Sequence, residues 1–591
     1  MSTTTDAPGV TGIDPPETKL PREPLLVRWT LTSRQLLGVV VGLTVTYLAL
    51  GPIVIMVAAM FQNTEAGLPL SSGATWTFDN LVTVFGSSAT WDLLITTLVF
   101  ALGSLFLGGT IAIVLAWLTE RTDIALPRTI FVLIVASAGV PGLINTIAWG
   151  ALLNPTAGPI NDLMRWAFGW TFDPWSLPGM IFVQGLSLVP LIYLLLAATF
   201  RGMNPALEEA AVASGASNLL MMRRVTLPLL TPAIIGAFIY GFVSAVESVD
   251  VPLIFGLPGQ VRVLSLQVWL SAQSTSGLPE YGVACAYALL LVAMSLIPLM
   301  IYTRVIRNSS RYATVTGKGF RPRKFTLGAW RWPAFVVVFL FLLVQLLLPI
   351  LMLLWSSVQF YYSGINQEAI DRISFDAWKN DLTSSTVHTI LLTTLKVGLL
   401  AALGTMILTI LSSWIVVRSR NRAAGWLDHL LFFPHLLPGI VIALAVLLLY
   451  LILPVGVYGT IWILVIAFVM KSTPLASRLT TPGIAQISVT LEEAAAVSGG
   501  KMRHVWLRVL VPLLKGVFTN GYLLIFMMCI HTLSLPLLLS SQGTQMLASE
   551  IFSRYVTGQT RGVAVLSLIM VAITSVLAIV MRGAGTDRSR K

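Results

Sequence analysis

Two ten-residue phrases are the first candidates for chemistry: Leu207 to Ala216 reads LEEAAVASGA, and Leu491 to Gly500 reads LEEAAAVSGG. One shift of 284 carries Glu209, Gly215 and Pro228 onto Glu493, Gly499 and Pro512. Carboxylates beside alanine and glycine suit a surface that another protein approaches with basic groups, and they suit anionic headgroups poorly. The docking set read from this pattern is Glu208, Glu209, Ala210 and Gly215 with Glu492, Glu493, Ala494 and Gly499. The other candidates are ionisable residues in apolar surroundings, where a charge at mid-membrane costs about 2.5 to 3.5 kcal/mol and calls for a functional reason. Glu247 and Asp250 lie near one end of an apolar run, and the 284 shift sets Glu247 against His531 and Asp250 against Ser534. They read as a polar gate on a substrate path; the competing reading is helix-end residues that reach interfacial water. His435 precedes a Leu437-Pro438-Gly439 break and joins the path candidates. Lys396 and Lys471 are the remaining intramembrane cations, and Lys471, placed some seven residues from the inner end of its run, reads as snorkelling. No His, Cys, Asp and Glu cluster has metal-site spacing and no nucleophile sits with a base, so no cofactor, metal or catalytic residue is expected. Cys285 and Cys529 fall in or beside apolar runs and read as core residues.

These residues must be positioned by membrane helices. The chain is 56% hydrophobic and 10% charged, with a mean hydropathy of +0.84, too few charges to clothe a soluble globule of 591 residues. Runs long enough to cross about 30 Å of hydrocarbon recur twelve times, at 36–60, 92–118, 129–153, 177–200, 229–251 and 281–305, then 333–359, 387–417, 427–452, 458–478, 513–536 and 562–582. The expected fold is an all-α membrane protein of about twelve transmembrane helices in two parallel six-helix repeats. Its parts are a disordered cytosolic tail over 1–35, a first repeat over 36–305, a basic cytosolic linker over 306–332, a second repeat over 333–582 and a short cytosolic tail over 583–591. The net charge of +12 is a topology signal and not a nucleic-acid footprint: 29 of the 37 Lys and Arg fall in tails and loops assigned to the cytoplasm. Both termini are therefore expected inside, and membrane lipid is a partner.

The repeat extends beyond the phrases. Thr96-Thr97-Leu98, Trp117 and Pro141-Gly142 match Thr393-Thr394-Leu395, Trp414 and Pro438-Gly439 at a shift of 297, whereas Pro190 and Pro252 match Pro474 and Pro536 at 284. The first copy thus holds about 13 extra residues near 153–176. Each phrase is predicted to form a short helix, a tight turn and a second helix near 217–226 or 501–510. Asn204 and Pro205 start the first, Thr490 and Glu493 form a capping box for the second, and Gly215 and Gly499 end them. The Pro-Gly breaks read as either hinges or packing kinks.

At this loop the chain resembles the permeases of type I ATP-binding-cassette importers. Their signature is Glu-Ala-Ala, three residues, Gly, nine residues, an aliphatic residue, any residue, Leu, Pro. It is present as Glu209-Ala210-Ala211, Gly215 and Val225-Thr226-Leu227-Pro228, and again as Glu493-Ala494-Ala495, Gly499 and Val509-Leu510-Val511-Pro512, departing only at Val511. The resemblance spans essentially everything after residue 30. It implies a permease in the bacterial inner membrane, docked to two copies of a separate ATPase subunit and served by a periplasmic or lipid-anchored solute-binding protein. One-chain, two-copy permeases resemble the ferric iron group, and VESVDVPLIFGLPG from Val246 looks most like its members; thiamine, phosphonate and polyamine permeases are the alternatives. The chain has no GxxxxGK[ST] phosphate loop, so the energy must come from another polypeptide. An ion-coupled secondary transporter also has twelve helices in two parallel halves, but has no reason to repeat a docking loop.

Overall fold

The computed structural model describes residues 31–63, 68–71, 73–202, 206–273, 279–307, 324–360, 364, 366–419 and 422–586. Residues 1–30 of the tail expected to be disordered, most of the basic linker, the last five residues and the Asn204-Pro205 cap lie outside them, whereas 31–35, also expected in that tail, are already helical in Leu31–Met60. Helix dominates because the hydrocarbon offers backbone groups no partner except the turn below. Among the described residues, ten helices are long and apolar enough to cross a membrane: Gln35–Met60, Ser88–Arg121, Leu177–Gly202, Met222–Val246, Tyr281–Ile301, Gly328–Val358, Ser385–Arg418, Ile461–Ala485, Met502–His531 and Thr560–Val580.

The third and ninth expected spans are each broken. Pro127–Ala138 meets Gly142–Leu152 at 98°, and Arg422–Leu436 meets Gly439–Ile452 at 108°. These are corners, larger than a packing kink. Pro141 and Pro438 take extended backbone as the N-caps of the inner pieces. Every residue from Gly439 to Tyr450 is buried, so this piece is a core helix, apolar all round and surrounded by protein. Leu437 and Pro438 are buried as well, so the second corner is enclosed by protein, where such breaks are tolerated.

The halves embrace each other. The first helix packs on Gly439–Ile452 and Arg422–Phe432 of the second half, and Arg331–Val358 packs on Pro127–Ala138 and Gly142–Leu152 of the first. Tyr47 donates to or accepts from Tyr450 (3.0 Å) across one of these seams, and Gln345 Nε2 donates to the Leu186 carbonyl (2.9 Å) across the other. Within each half the second long helix packs along the fourth. Exposed Trp76, Phe78, Trp91, Trp166 and Trp170 ring one end of the bundle, and Trp330, Trp332 and Trp426 ring the other, as interfacial anchors do.

Both phrases lie on one face. Phe325 N donates to the Arg121 carbonyl (2.7 Å) and Asp123 N to the Phe325 carbonyl (3.0 Å), which ties the start of the seventh long segment to the end of Ser88–Arg121. Two crossings later the chain is back on that side at Arg418, and Leu37 packs into the same cluster as Trp414, Ile484 and Val505. Two parallel copies, and not inverted ones, follow from this arrangement.

Candidate functional site

On the phrase-bearing face, each copy folds into a short helix, Ala206–Ala213 and Val489–Val497. Gly215 (φ +84°) and Gly499 (φ +79°) end them in the left-handed conformation that only glycine adopts freely. Ala216 N and Gly500 N reach back to the Ala211 and Ala495 carbonyls at 3.0 Å, and Gly215 N and Gly499 N to those of Val212 and Ala496, which makes both ends Schellman motifs. The expected capping box is replaced: Ser488 is the N-cap of the second helix, its Oγ accepting from Thr490 N (3.3 Å). Thr490 therefore sits in the first turn, and Glu493 has no cap to make.

The adjacent carboxylates divide their work. Glu208 is fully buried and forms a fork with Arg121, Nη1 to Oε2 and Nη2 to Oε1 both at 3.0 Å, while Thr226 Oγ1 donates to Oε1 at 2.7 Å. Glu492 accepts from Arg418 Nε (2.8 Å) and Trp414 Nε1 (3.1 Å). Glu208 and Glu492 are thus corrected from surface residues to latches that clamp each short helix onto the end of the second long helix of its half. Consecutive residues on a helix are about 100° apart, which turns Glu209, Ala210, Ala494 and both glycines outward. Glu493 is half-buried, and its shielded Oε1 meets no donor among the described residues. Exposed Leu207, Leu491 and Val497 give the outward faces an apolar component.

No separate second helix exists. The chain after each glycine runs straight into the fifth long helix of its half through a π-turn, Met222–Thr226 and Val505–Leu510. Pro228 and Pro512 are the cause: a proline lacks the N–H and crowds the carbonyl four residues back, so the helix widens by one residue just before it. Leu227 N accordingly bonds to the Met222 carbonyl, five residues away. Each short helix is therefore joined rigidly to two long helices, by the latch and by this continuous turn.

A second site lies between the halves. A cavity of about 260 Å³ is bounded by Glu247, Ser248 and Asp250 and by Thr146, Gln184 and Ser187 from the first half, and by Lys471, His531, Thr532 and Ser534 from the second. Glu247, Asp250 and His531 therefore line one cavity. His435 does not line it. It stacks on Tyr240 (centroids 6.2 Å apart) and against Phe432 (5.1 Å), beside the path residues and outside the cavity. Lys471 is a correction in the other direction: its helix runs to Ala485, so the residue sits mid-helix and faces the cavity, too far from the end to snorkel.

The first corner lines this cavity through Gly142, and the glycine at each corner explains the close approach of its neighbours. A Cβ on Gly142 would stand 2.5 Å from Asp250 Oδ2, and one on Gly439 would collide with Ser534 Oγ and Lys471 Nζ. The 284 shift pairs Asp250 with Ser534 and Lys471 with Ser187, so one half brings a carboxylate to its corner and the other brings an ammonium. Among the described residues no three of His, Cys, Asp and Glu converge closely enough to hold a metal ion.

The latches were missed in the sequence although it carries their signal: Trp117 and Arg121, four residues apart, recur as Trp414 and Arg418 at the shift of 297. The family described as binding-protein-dependent transport system inner membrane component matches twice, over residues 108–311 and 405–586. The ferric transport system permease protein FbpB of Actinobacillus pleuropneumoniae is 26% identical over 509 residues, 81% of this chain and 69% of that one. A putative ferric transport system permease protein, FbpB 1 of Haemophilus influenzae, is 26% identical over 473 residues, 75% of this chain and 70% of its own length. A putative 2-aminoethylphosphonate permease, PhnV of Salmonella typhimurium, is 26% identical over 247 residues, 41% of this chain. With ten to twelve candidate membrane helices and the family domain present twice, the chain belongs to the binding-protein-dependent transport permeases and is a fused, two-copy, multi-pass inner-membrane permease of the type I ATP-binding-cassette importers.

Proposed function

We propose that this permease imports ferric iron, with both termini and both latched helices on the cytoplasmic side, two copies of a separate ATP-binding-cassette ATPase seated on those helices, and a separate solute-binding protein delivering cargo to the opposite face. The observation that carries the coupling is the pair of short helices on one face, each fixed to two long helices while Glu209, Ala210, Gly215 and their counterparts Ala494 and Gly499 stay uncovered. A partner closing on such a knob moves long helices and not a loose loop. Glu493, with its acceptor oxygen unpaired, supports a donor arriving from outside the chain. Iron is supported by the two ferric permease relatives that cover most of the chain. The cavity between the halves, with Glu247, Asp250, His531 and Lys471, is the proposed route.

A phosphonate cargo is the second reading, favoured by the aminophosphonate relative and by a cavity with charges of both signs. Proteoliposomes containing the chain, its co-purifying ATPase and its binding protein separate the two. Uptake of ferric iron that needs internal ATP, and is not displaced by excess 2-aminoethylphosphonate, is the expected result. Uptake by the chain alone, driven by a pH gradient, would contradict the importer reading.

A further inference from the structure

We infer that a larger cavity between the halves, which shares no lining residue with the proposed route, holds one phospholipid of the surrounding membrane, its acyl chain inside and its phosphate on Arg561 and Gln359. This cavity measures about 590 Å³, within the range of roughly 300–1,000 Å³ typical of ligand pockets. Gly150, Ala151, Leu253 and Leu257 line it from the first half, and Leu353 and Val563 from the second. It exists because the repeat is broken there. The shift of 297 carries Gly150 and Ala151 onto Leu447 and Leu448, and both leucines are buried. Where the second half fills its wall, the first leaves room. Ser356, near the end of Arg331–Val358, also lines the cavity. That helix follows the Phe325 tie to Arg121 on the phrase-bearing face, so the cavity lies toward the opposite face.

Orphaned donors mark its rim. Thr560, Val563 and Ala564 line the cavity from one helix face, and Arg561 stands on the flank of that face with its guanidinium over the Phe360 ring, Cζ 5.2 Å from the centroid. The Arg561 Nε and Nη2 are shielded from solvent and have no hydrogen-bond partner among the described residues. Gln359, beside Phe360, is 3% exposed, and its Nε2 is likewise unpartnered. Shielded donors seldom stay unpaired, and a charged one left so is the most costly. The protein does supply anions to a neighbouring guanidinium: Arg554 holds Asp381 and Glu550, each at 2.8 Å. Arg561 has no such carboxylate among the described residues. Phosphate oxygens fit a guanidinium fork.

The surroundings supply the rest of the ligand. Val556 and Thr560, both exposed, open the cavity outward. Trp175 on its wall belongs to the loop that carries Trp170 of the interfacial ring, which sets the rim at headgroup level. Exposed Val337, Leu340, Val344, Leu347, Leu351 and Leu354 run as one stripe along the helix that brings Leu353 to the cavity, so hydrocarbon reaches this wall. A bare anion would leave the apolar space empty, and an uncharged apolar molecule would leave Arg561 unpaired. A phospholipid satisfies both.

The test titrates the full chain, delipidated in detergent, with dioleoyl phosphatidylglycerol and counts bound lipids by native mass spectrometry. One saturable site is expected on the native chain, weakened about tenfold or more by Arg561→Gln, the loss of a charged hydrogen bond, and retained by Arg561→Lys. Ala151→Leu, which copies the second half's leucine into the wall, should abolish it independently. Thermal unfolding in the same detergent checks that each variant is folded. Oleyl alcohol, a tail without phosphate, should bind about tenfold more weakly or worse, and glycerol phosphate, a head without a tail, should not compete. No saturable lipid on the native chain, or native-level binding by Arg561→Gln or by Ala151→Leu, overturns the site. So does equal binding of oleyl alcohol, which would make the occupant a tail alone, or displacement by glycerol phosphate, which would make it an anion alone.

Discussion

The phrase-bearing face and the central cavity are built by the same repeat, yet one keeps the symmetry and the other breaks it. On the face, each half has a short helix, a left-handed glycine, a buried Glu–Arg latch and a π-turn before proline. Among the cavity's lining residues, the 284 shift matches Asp250 with Ser534, Glu247 with His531 and Ser187 with Lys471. A surface duplicated so closely is suited to meeting the same partner twice. A cavity whose walls differ in sign is suited to one asymmetric cargo.

The largest effect is expected at the latches. Glu208→Gln leaves the buried Arg121 guanidinium without its counter-ion, a loss of roughly 3–5 kcal/mol for a buried pair broken on one side. Glu492→Gln should cost less, because Arg418 and Glu492 retain 9% and 11% side-chain exposure against 1% and 0% at the first latch. Thermal unfolding in detergent, read beside ATPase co-purification, checks both the sizes and their order; equal midpoints for both variants and the native chain would remove the latches from the account.

Next comes the cavity. Making the second half copy the first, with Lys471→Ser and Ser534→Asp together, should lower uptake more than about tenfold, the loss of a charge-assisted contact, while two ATPases stay bound. Undiminished uptake would mean that the asymmetry is idle. The turns rank third. Gly215→Ala and Gly499→Ala each force a side chain into the left-handed region at about 1 kcal/mol, and Asn should recover part of the coupling between ATP hydrolysis and transport. Neither glycine has an atom within 4 Å of a new Cβ, so an Ala defect comes from the backbone or the partner. The smallest contrast is between the two tryptophans. Trp414→Phe deletes the bond to Glu492, about 1 kcal/mol. Trp117→Phe should cost less in the same unfolding assay, because the Trp117 Nε1 has no partner among the described residues to lose.

The sequence shows the duplicated face well because both copies retain the residues that make it. Glycine after a short alanine-rich stretch predicts a left-handed stop, and the structure has it in both halves. What a linear pattern cannot give is which of two consecutive glutamates points inward; that depends on Arg121 and Arg418, which approach from another helix. The Pro-Gly corners are visible as stops, but the turn of about 100° is set by Asp250, Ser534 and Lys471 packing against bare glycines, contacts more than a hundred residues away along the chain for Asp250. Lys471 was misplaced for a simpler reason. Ending its helix at 478 instead of Ala485 put it within reach of the interface, and Pro474 and Pro482, which the helix absorbs, obscure the true end.

The most direct measurement is the number of ATPase subunits held by one chain. Cys285 and Cys529 are buried, so single cysteines introduced at Ala210 and at Ala494 can be cross-linked selectively in the assembled complex. The account predicts that each captures one ATPase and that the double variant yields one chain carrying two. Capture at neither position, or one ATPase bridging both, would contradict it.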